Sequence, residues 1–366
     1  MENLRRCTLC VMDESDPDIS FDSKGICSYH KIVHDKLRNV EVQRSLDSLE
    51  SIAKKIKQEG VNKEYDCLIG LSGGVDSSYI TLLAGELGLK PLIVHFDNGW
   101  NSELAISNIE KLINKYNFDL HTLVVDWEEF KDIQLSLFKA GVPNIEMVTD
   151  HAISATLYKI SKRFKIKYLL SGSNVATESI LPQAWGHDSS DFKHIKAIHK
   201  KFGGSKIKTY PSLTVFKRIR YRLMSNIIKV NLLNYIDYSK EYAISRLEKE
   251  VGWEYYGGKH YESVFTKVFQ AYILPKKFGF DKRKAHLSSL ICNGEMTREE
   301  ALLELEKPLY AEKELKSDIE YLIKKWGITI DQFNEILNSP PKSHNDYPTG
   351  DKLIQLALKF KRKLKL

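Results

Sequence analysis

Between residues 65 and 174 short apolar runs alternate with amphipathic stretches, and this rhythm organises the chain. Residues 65–71 form a continuous hydrophobic run that stops at Ser72-Gly73-Gly74, as a strand buried on both faces does. Tyr79, Leu82, Leu83 and Leu87 then recur at three- and four-residue steps, which predicts a helix, and Gly88 supplies a cap for its end. The pattern predicts a second strand over 92–97, a helix from Asn101 or Ser102 to Tyr116, and a third strand over 121–127. A further helix over 149–164 leads to a strand over 166–170, which ends at Ser171-Gly172-Ser173-Asn174. Strand and helix in alternation imply an α/β fold with a doubly wound parallel sheet, whose ligands bind at the carboxyl ends of the strands.

The flanks read differently. Residues 37–58 are polar but carry Val40, Leu46, Leu49, Ile52 and Ile56 at helical spacing, which predicts one connecting helix. Residues 178–204 turn polar, with Pro182, Trp185, Gly186, His187, His194 and His199, and read as a mobile loop. Its histidines, with Asp188 and Asp191, fit no closed metal-ligand spacing and read as surface residues. Helical patterns follow over 239–251, 297–306, 317–326, 330–337 and from 352 onward. The expected division is a cysteine-bearing lobe (1–34), a connecting helix (35–60), an ATP-binding domain (61–178), and a substrate-binding loop with a mostly helical C-terminal region (179–366).

With 366 residues, 42% hydrophobic and 28% charged, the chain can bury a large core. No apolar run approaches the roughly 18 residues of a membrane span, and residues 1–6 are too polar for a signal peptide, so a cytoplasmic protein without membrane attachment is expected. Five cysteines, three of them within the first 27 residues, argue against a disulfide framework. A net charge of +7 suits an anionic partner, either nucleic acid or a phosphorylated small molecule. The run Lys359, Lys361, Arg362, Lys363 and Lys365 reads as a solvated helix end.

Two motifs carry chemistry. Cys7-x2-Cys10 and Cys27-x2-His30 offer four sulfur and nitrogen ligands in two pairs, the donor set of a closed, structural zinc site; the histidine argues against an iron-sulfur cluster. Ser72-Gly73-Gly74-Val75-Asp76-Ser77-Ser78 stands between a strand and a helix, where glycines let backbone N–H groups approach a phosphate and the helix dipole favours an anion. Ser72, Ser77 and Ser78 add hydroxyl donors, and Mg2+ bridging Asp76 to a polyphosphate would explain a carboxylate at an anion site. No Gly-Lys-Ser/Thr ends the loop, so it is not a Walker motif. Gly172 and Asn174 follow a strand, where a nucleotide would lie; Glu178 is a candidate second metal ligand, and Asp97 is either a turn residue or a metal ligand. Cys67 reads as core, and Cys292 shows no partner.

The SGGVDSS segment resembles the PP-loop of the N-type ATP pyrophosphatases, the adenine nucleotide alpha hydrolase fold. Together with CTLCVMD at the start, FDNGW at 96–100, LSGSN at 170–174 and PKKFGFDKRKAHLS at 275–288, nearly the whole chain is similar to the N-acetyl sugar amidotransferases of surface polysaccharide and nonulosonate biosynthesis. His30 stands where many such relatives carry a fourth cysteine. The resemblance implies transfer of AMP from ATP to an N-acetyl carbonyl oxygen, release of pyrophosphate, and replacement of that oxygen by ammonia. Asp76 and Asp97 would hold Mg2+, and Lys259, Lys276 and Lys284 would clamp the departing pyrophosphate. No glutaminase nucleophile is evident, so the resemblance implies a separate glutaminase subunit with a cyclase-like companion, and an N-acetylated sugar or nucleotide-sugar as substrate. The alternative is a PP-loop tRNA-modifying enzyme of the thiolase or lysidine synthetase type, which would need a basic, aromatic-rich surface for RNA.

Overall fold

Residues 4–217, 226–257 and 261–350 are described by the computed structural model, and their strands form one five-stranded parallel sheet. The strands are β1 (Cys67–Gly70), β2 (Pro91–Asp97), β3 (Asp119–Val124), β4 (Tyr168–Ser171) and β5 (Ile228–Asn231), in the order β3-β2-β1-β4-β5. Central β1 pairs with β2 through Cys67 opposite Pro91 and with β4 through Cys67 opposite Tyr168. Successive strands step one way from β1 to β3 and the other way for β4 and β5. The loops after β1 and β4 therefore part over a crevice at the carboxyl edge of the sheet, the place where parallel α/β sheets take ligands.

The near-continuous apolar strands reflect burial on both faces. Cys67, Ile69 and Leu71 pack with Tyr79 and Leu82 of α3 (Val75–Glu86), Leu112 of α4 (Glu103–Tyr116) and Leu247 of α9 (Lys240–Val251). Leu68, Leu92 and Val94 point the opposite way, onto Ile160 of α6 (Met147–Arg163). A second core, beside the sheet, is strongly aromatic: Trp100, Phe130, Phe138, Phe265, Trp326 and Phe333 pack between α5 (Trp127–Ala140), α10 (Val264–Val268), α13 (Glu312–Trp326) and α14 (Ile330–Asn338). Buried Gln134 accepts from the indole N–H of both Trp100 and Trp326, which satisfies two donors that would otherwise cost free energy in that interior.

The polar 37–58 stretch is not one helix. α1 (Ser28–Leu46) ends at extended Asp47, and α2 (Leu49–Gly60) restarts with Ser48 accepting from the Ser51 N–H; local side-chain capping overrides a shared apolar face. The third strand ends at Val124, because Asp126 caps α5 by accepting from the Glu129 N–H. The 178–204 stretch is ordered rather than mobile: it follows α7 (Val175–Glu178) and contains α8 (Phe192–Phe202), with Asp191, His194 and His199 buried. α5 supplies the carboxylates that hold the chain after α8 in place. Asp132 accepts from the N–H groups of Gly204 and Ser205 and from His199, while Glu129 accepts from those of Thr209 and Tyr210. Predicted helix 352 onward, its basic run and Lys259 lie outside the described residues. Among the described residues no helix is long and apolar enough to cross a membrane.

His187, His194 and His344 form a packed imidazole cluster, with ring centroids 4.5–5.0 Å apart. His194 Nδ1–H donates to the Pro348 carbonyl, so its Nε2 accepts from His344 Nδ1–H; His344 Nε2 in turn accepts from the Asn144 N–H. Both rings are thereby neutral, and burial, with His194 and His187 beside it, pushes the His344 pKa down to about 3. The unfolded imidazole titrates near about 6.5, so the unfolded chain binds the extra proton between those limits. Stability is therefore full above about 6.5 and falls as pH drops toward about 3. His344→Asn should remove roughly one proton's worth of slope from that window, as read by urea unfolding at pH 4.5, 5.5 and 7.

Candidate active site

The loop after β1 is shaped by two close approaches. Gly73 has φ +84°, and a Cβ on it would meet the Ala105 carbonyl oxygen of α4 at 2.6 Å. A Cβ on Gly172, after β4, would lie 2.9 Å from the Asp76 backbone, so the two carboxyl-end loops pack face to face only with glycine there. Between them the serines bind one another. Ser72 and Ser77 hydroxyls are 3.1 Å apart, the Gly74 N–H donates to Ser72, and the Ser77 hydroxyl donates to the Gly74 carbonyl. α3, twelve residues long, starts directly from Gly74, so its N-terminus lies at the crevice.

This crevice opens as a cavity of about 210 Å³ lined by Ser72, Gly74, Asp76, Ser77, Gly172 and residues from later in the chain: Glu178, Lys240, Tyr256, Glu262 and His286. A second cavity of about 620 Å³ shares Ser72, Ser171, Gly172 and Glu262 with it, so the two are parts of one cleft along the sheet edge. Polar groups around the larger part include Asn98, Asn101, Glu146, Lys229, Gln270 and Lys282. Glu146 accepts from Gln270 (2.9 Å) and Lys282 (3.1 Å), which orders that wall. Two tyrosines brace the loop: Tyr238 donates its hydroxyl to Asp76, and Tyr256 accepts the Val75 N–H at 3.1 Å. Burial, with Asp76 nearby, holds the Tyr238 phenol far above its ordinary pKa, so it stays a proton donor to Asp76.

The structure thus brings Ser72, Gly74, Asp76, Ser77, Gly172 and Glu178 to one cavity. Ser78 is fully buried on the inner side of α3, and Asn174 caps α7, accepting from Thr177 while donating to the Gly172 carbonyl. Asp97 accepts from the Gly99 N–H at 2.8 Å and so has the turn geometry. The basic segment divides. Lys276 is exposed on a π-helical stretch (Phe269–Phe278), and buried Lys277 donates to the last carbonyls of α14. On α11 (Lys282–Cys292), Lys282 faces the larger cavity, whereas Lys284 is committed to Asp13 at 2.6 Å. Among the described residues Lys240 is the cation lining the smaller cavity; it comes after an ordinary helix cap, Ser239, and nothing in its sequence context marks it. Tyr238, Tyr256 and Glu262 are equally unmarked, since each reaches the loop only through the fold, while His286 falls inside the 275–288 segment without being singled out there.

Cys7, Cys10, Cys27 and His30 place their ligand atoms within 4.8 Å of one another. The Cys10 and Cys27 sulfurs are 3.7 Å apart, and Cys7 Sγ accepts from the N–H groups of Leu9 and Cys27. A hydrogen bond from Cys27 pulls the Cys10 thiol down to about 4. His30 Nε2 is buried without a protein partner, as a ligand nitrogen would be, while Nδ1 lies 3.7 Å from Cys292, giving that cysteine the partner its sequence context does not reveal. The set fits a tetrahedral metal ion. This lobe leans on α11: Ser288 accepts from the Val11 N–H, and Arg298 of α12 (Arg298–Glu306) donates to the carbonyls of Cys7 and Cys10.

Residues 63–174 match the asparagine synthase family, and residues 262–364 match the family described as LPS biosynthesis protein WbpG-like, C-terminal domain. The chain thus carries an asparagine synthase-like segment and, later, a segment similar to the WbpG-like C-terminal domain. An uncharacterised protein of Methanocaldococcus jannaschii is 27% identical to this chain over 169 residues, covering 46% of the chain and 58% of that protein's length. Among solved structures, NMN synthetase from Francisella tularensis aligns with 13% identity and a TM-score of 0.34, over 78% of this chain and 98% of its own. The NH3-dependent NAD synthetase from Campylobacter jejuni, in complex with the nitrate ion, aligns with 14% identity and a TM-score of 0.29, over 61% and 84% respectively.

Burial alone would raise the Asp13 pKa, but hydrogen bonds from Lys284 and Ser15 outweigh it and hold the carboxylate below its usual range. Lys284→Met would leave that buried charge only Arg6, a looser ion pair at 3.7 Å, as its cationic partner, at a cost of about 3 kcal/mol. The double variant Asp13→Asn/Lys284→Met should recover most of the loss, which thermal melts of the two proteins would compare.

Proposed function

We propose that the chain is a cytoplasmic, ATP pyrophosphatase-type amidotransferase that adenylates the N-acetyl carbonyl oxygen of a sugar in lipopolysaccharide biosynthesis and substitutes ammonia to give an acetamidino group. The observation that carries this reading is the cleft: the SGGVDSS loop at the sheet's switch point opens into a larger polar cavity walled by residues of the WbpG-like domain, Gln270 and Lys282. A loop of serine hydroxyls and helix N–H groups suits a polyphosphate, and hydrogen-bonding side chains such as Glu146, Gln270 and Lys282 suit a hydroxylated acceptor. Asp76, braced by Tyr238, would hold Mg2+, which supplies charge to neutralise pyrophosphate as it leaves. Lys240 adds a fixed positive charge beside the loop. Ammonia, on this reading, comes from a separate glutaminase subunit.

In this reaction the acetamido oxygen attacks the α-phosphorus, pyrophosphate departs, and the oxygen finally leaves on AMP when nitrogen takes its place. Incubating the protein with ATP, Mg2+, ammonium and N-acetylated sugars carrying 18O in the acetyl carbonyl should yield AMP bearing the label and a sugar product with NH in place of oxygen. AMP formed without label, or only when tRNA is present, would sink the proposal.

The Cys7, Cys10, Cys27 and His30 cluster is proposed as a structural zinc site. Metal analysis of the purified protein should find about one zinc per chain, retained in His30→Cys and lost in Cys27→Ser together with a lower melting temperature.

A further inference from the structure

We infer that Cys292 is a positioning residue of the metal centre: its sulfur accepts the Nδ1–H of His30 and thereby fixes Nε2 as the ligand nitrogen. The inference rests on the structural zinc site proposed above. A neutral imidazole carries one proton, so a ring that gives its lone pair to a metal through one nitrogen has an N–H to place at the other. In His30 the two nitrogens have different surroundings. Nδ1 lies 3.7 Å from Cys292 Sγ, the distance of an N–H···S hydrogen bond, whereas Nε2 is buried with no hydrogen-bond partner among the described residues. A buried ring nitrogen in that state costs free energy unless a ligand uses it, and Cys7, Cys10 and Cys27 supply the other three donors of a tetrahedral set.

The two partners are anchored separately. His30 stands in the first turn of α1, and Cys292 is the last residue of α11. α11 is held against the lobe by Lys284 on Asp13 and by Ser288 on the Val11 N–H, so contacts that do not involve the ring present the sulfur to it. An imidazole free to turn would offer either nitrogen to the metal; one held at Nδ1 offers only Nε2. Metal-bound histidines ordinarily give the outer N–H to a carboxylate, a backbone carbonyl or water, and here a thiol stands in that place. His30 thus links the metal to a helix whose other residues, Lys282 and His286, line the cleft.

Zinc affinity of the full-length protein, measured by competition with a chromophoric chelator, tests the assignment. Cys292→Ala and Cys292→Val, the second close to cysteine in volume, should each weaken zinc about 10- to 100-fold, while Cys292→Ser, which keeps an acceptor, stays within about threefold of wild type. The decisive comparison uses His30→Cys, whose thiolate has no N–H to place. Adding Cys292→Ala to that variant should change zinc affinity by less than about twofold. Cobalt exchanged for zinc adds a count of sulfurs: the thiolate-to-cobalt absorption should be equal in wild type and Cys292→Ala, and larger by one thiolate in His30→Cys. Unchanged affinity in both Cys292→Ala and Cys292→Val would overturn the assignment. So would an equal loss in the His30 and His30→Cys backgrounds, which makes Cys292 a packing residue, or a fall in cobalt absorption in Cys292→Ala, which makes it a ligand. Absence of bound metal from the wild-type protein is a different result, one that removes the zinc site itself.

Discussion

Asp13 and Lys284 meet in an interior from which water is largely excluded, with side chains 2% and 14% exposed, and their pairing joins two remote parts of the chain. A buried carboxylate is tolerable only with such a partner, so α11 cannot drift from the N-terminal lobe without uncovering it. Around this pair directional hydrogen bonds add to the contact. Ser288 takes the Val11 N–H, Ser289 takes the Ile180 N–H, and Cys292 meets His30. The same helix turns His286 toward the crevice and Lys282 toward the larger cavity. The lobe and the cleft therefore share a wall, and the Cys/His cluster, which lines neither cavity of the cleft, still bears on the geometry of the site.

The cleft combines groups that would oppose one another if left alone. Asp76, Glu178 and Glu262 lie beside a loop whose N–H groups and helix dipole attract anions. Two hydroxyls moderate this in the protein itself, Tyr238 against Asp76 and Tyr256 against the Val75 N–H. A phenol is well suited to the task, because burial keeps it protonated and it can donate to an acid or accept from an amide without adding charge.

The parallel sheet and its two carboxyl-end loops were legible in the sequence because their signals are local. Apolar runs mark strands buried on both faces, and glycine marks the close approaches at 73 and 172. The zinc-type spacing was legible for the same reason, and its four ligand atoms do converge. The features that escaped are set by distant partners. α8 and the histidines before it looked like a polar loop because their burial comes from Asp132 on α5 and from His344. Lys276 and Lys284 were expected to join Lys259 in one clamp, yet the lysines between 276 and 284, on two elements, face solvent, a helix end, the larger cavity and Asp13. Charge spacing alone carries no record of which carboxylate waits across the fold.

The contacts between the lobe and α11 also set an order of events during synthesis. Partners of the lobe on α11 and α12 are separated from it by 262 to 291 residues, so the three cysteines of the lobe emerge from the ribosome long before the helices that cover them. At ordinary elongation rates that interval is on the order of tens of seconds. Throughout it the thiols stand in a lobe whose own apolar core is small, and their protection falls to whatever they can bind, a cation first among them, before the rest of the polypeptide arrives to close over it.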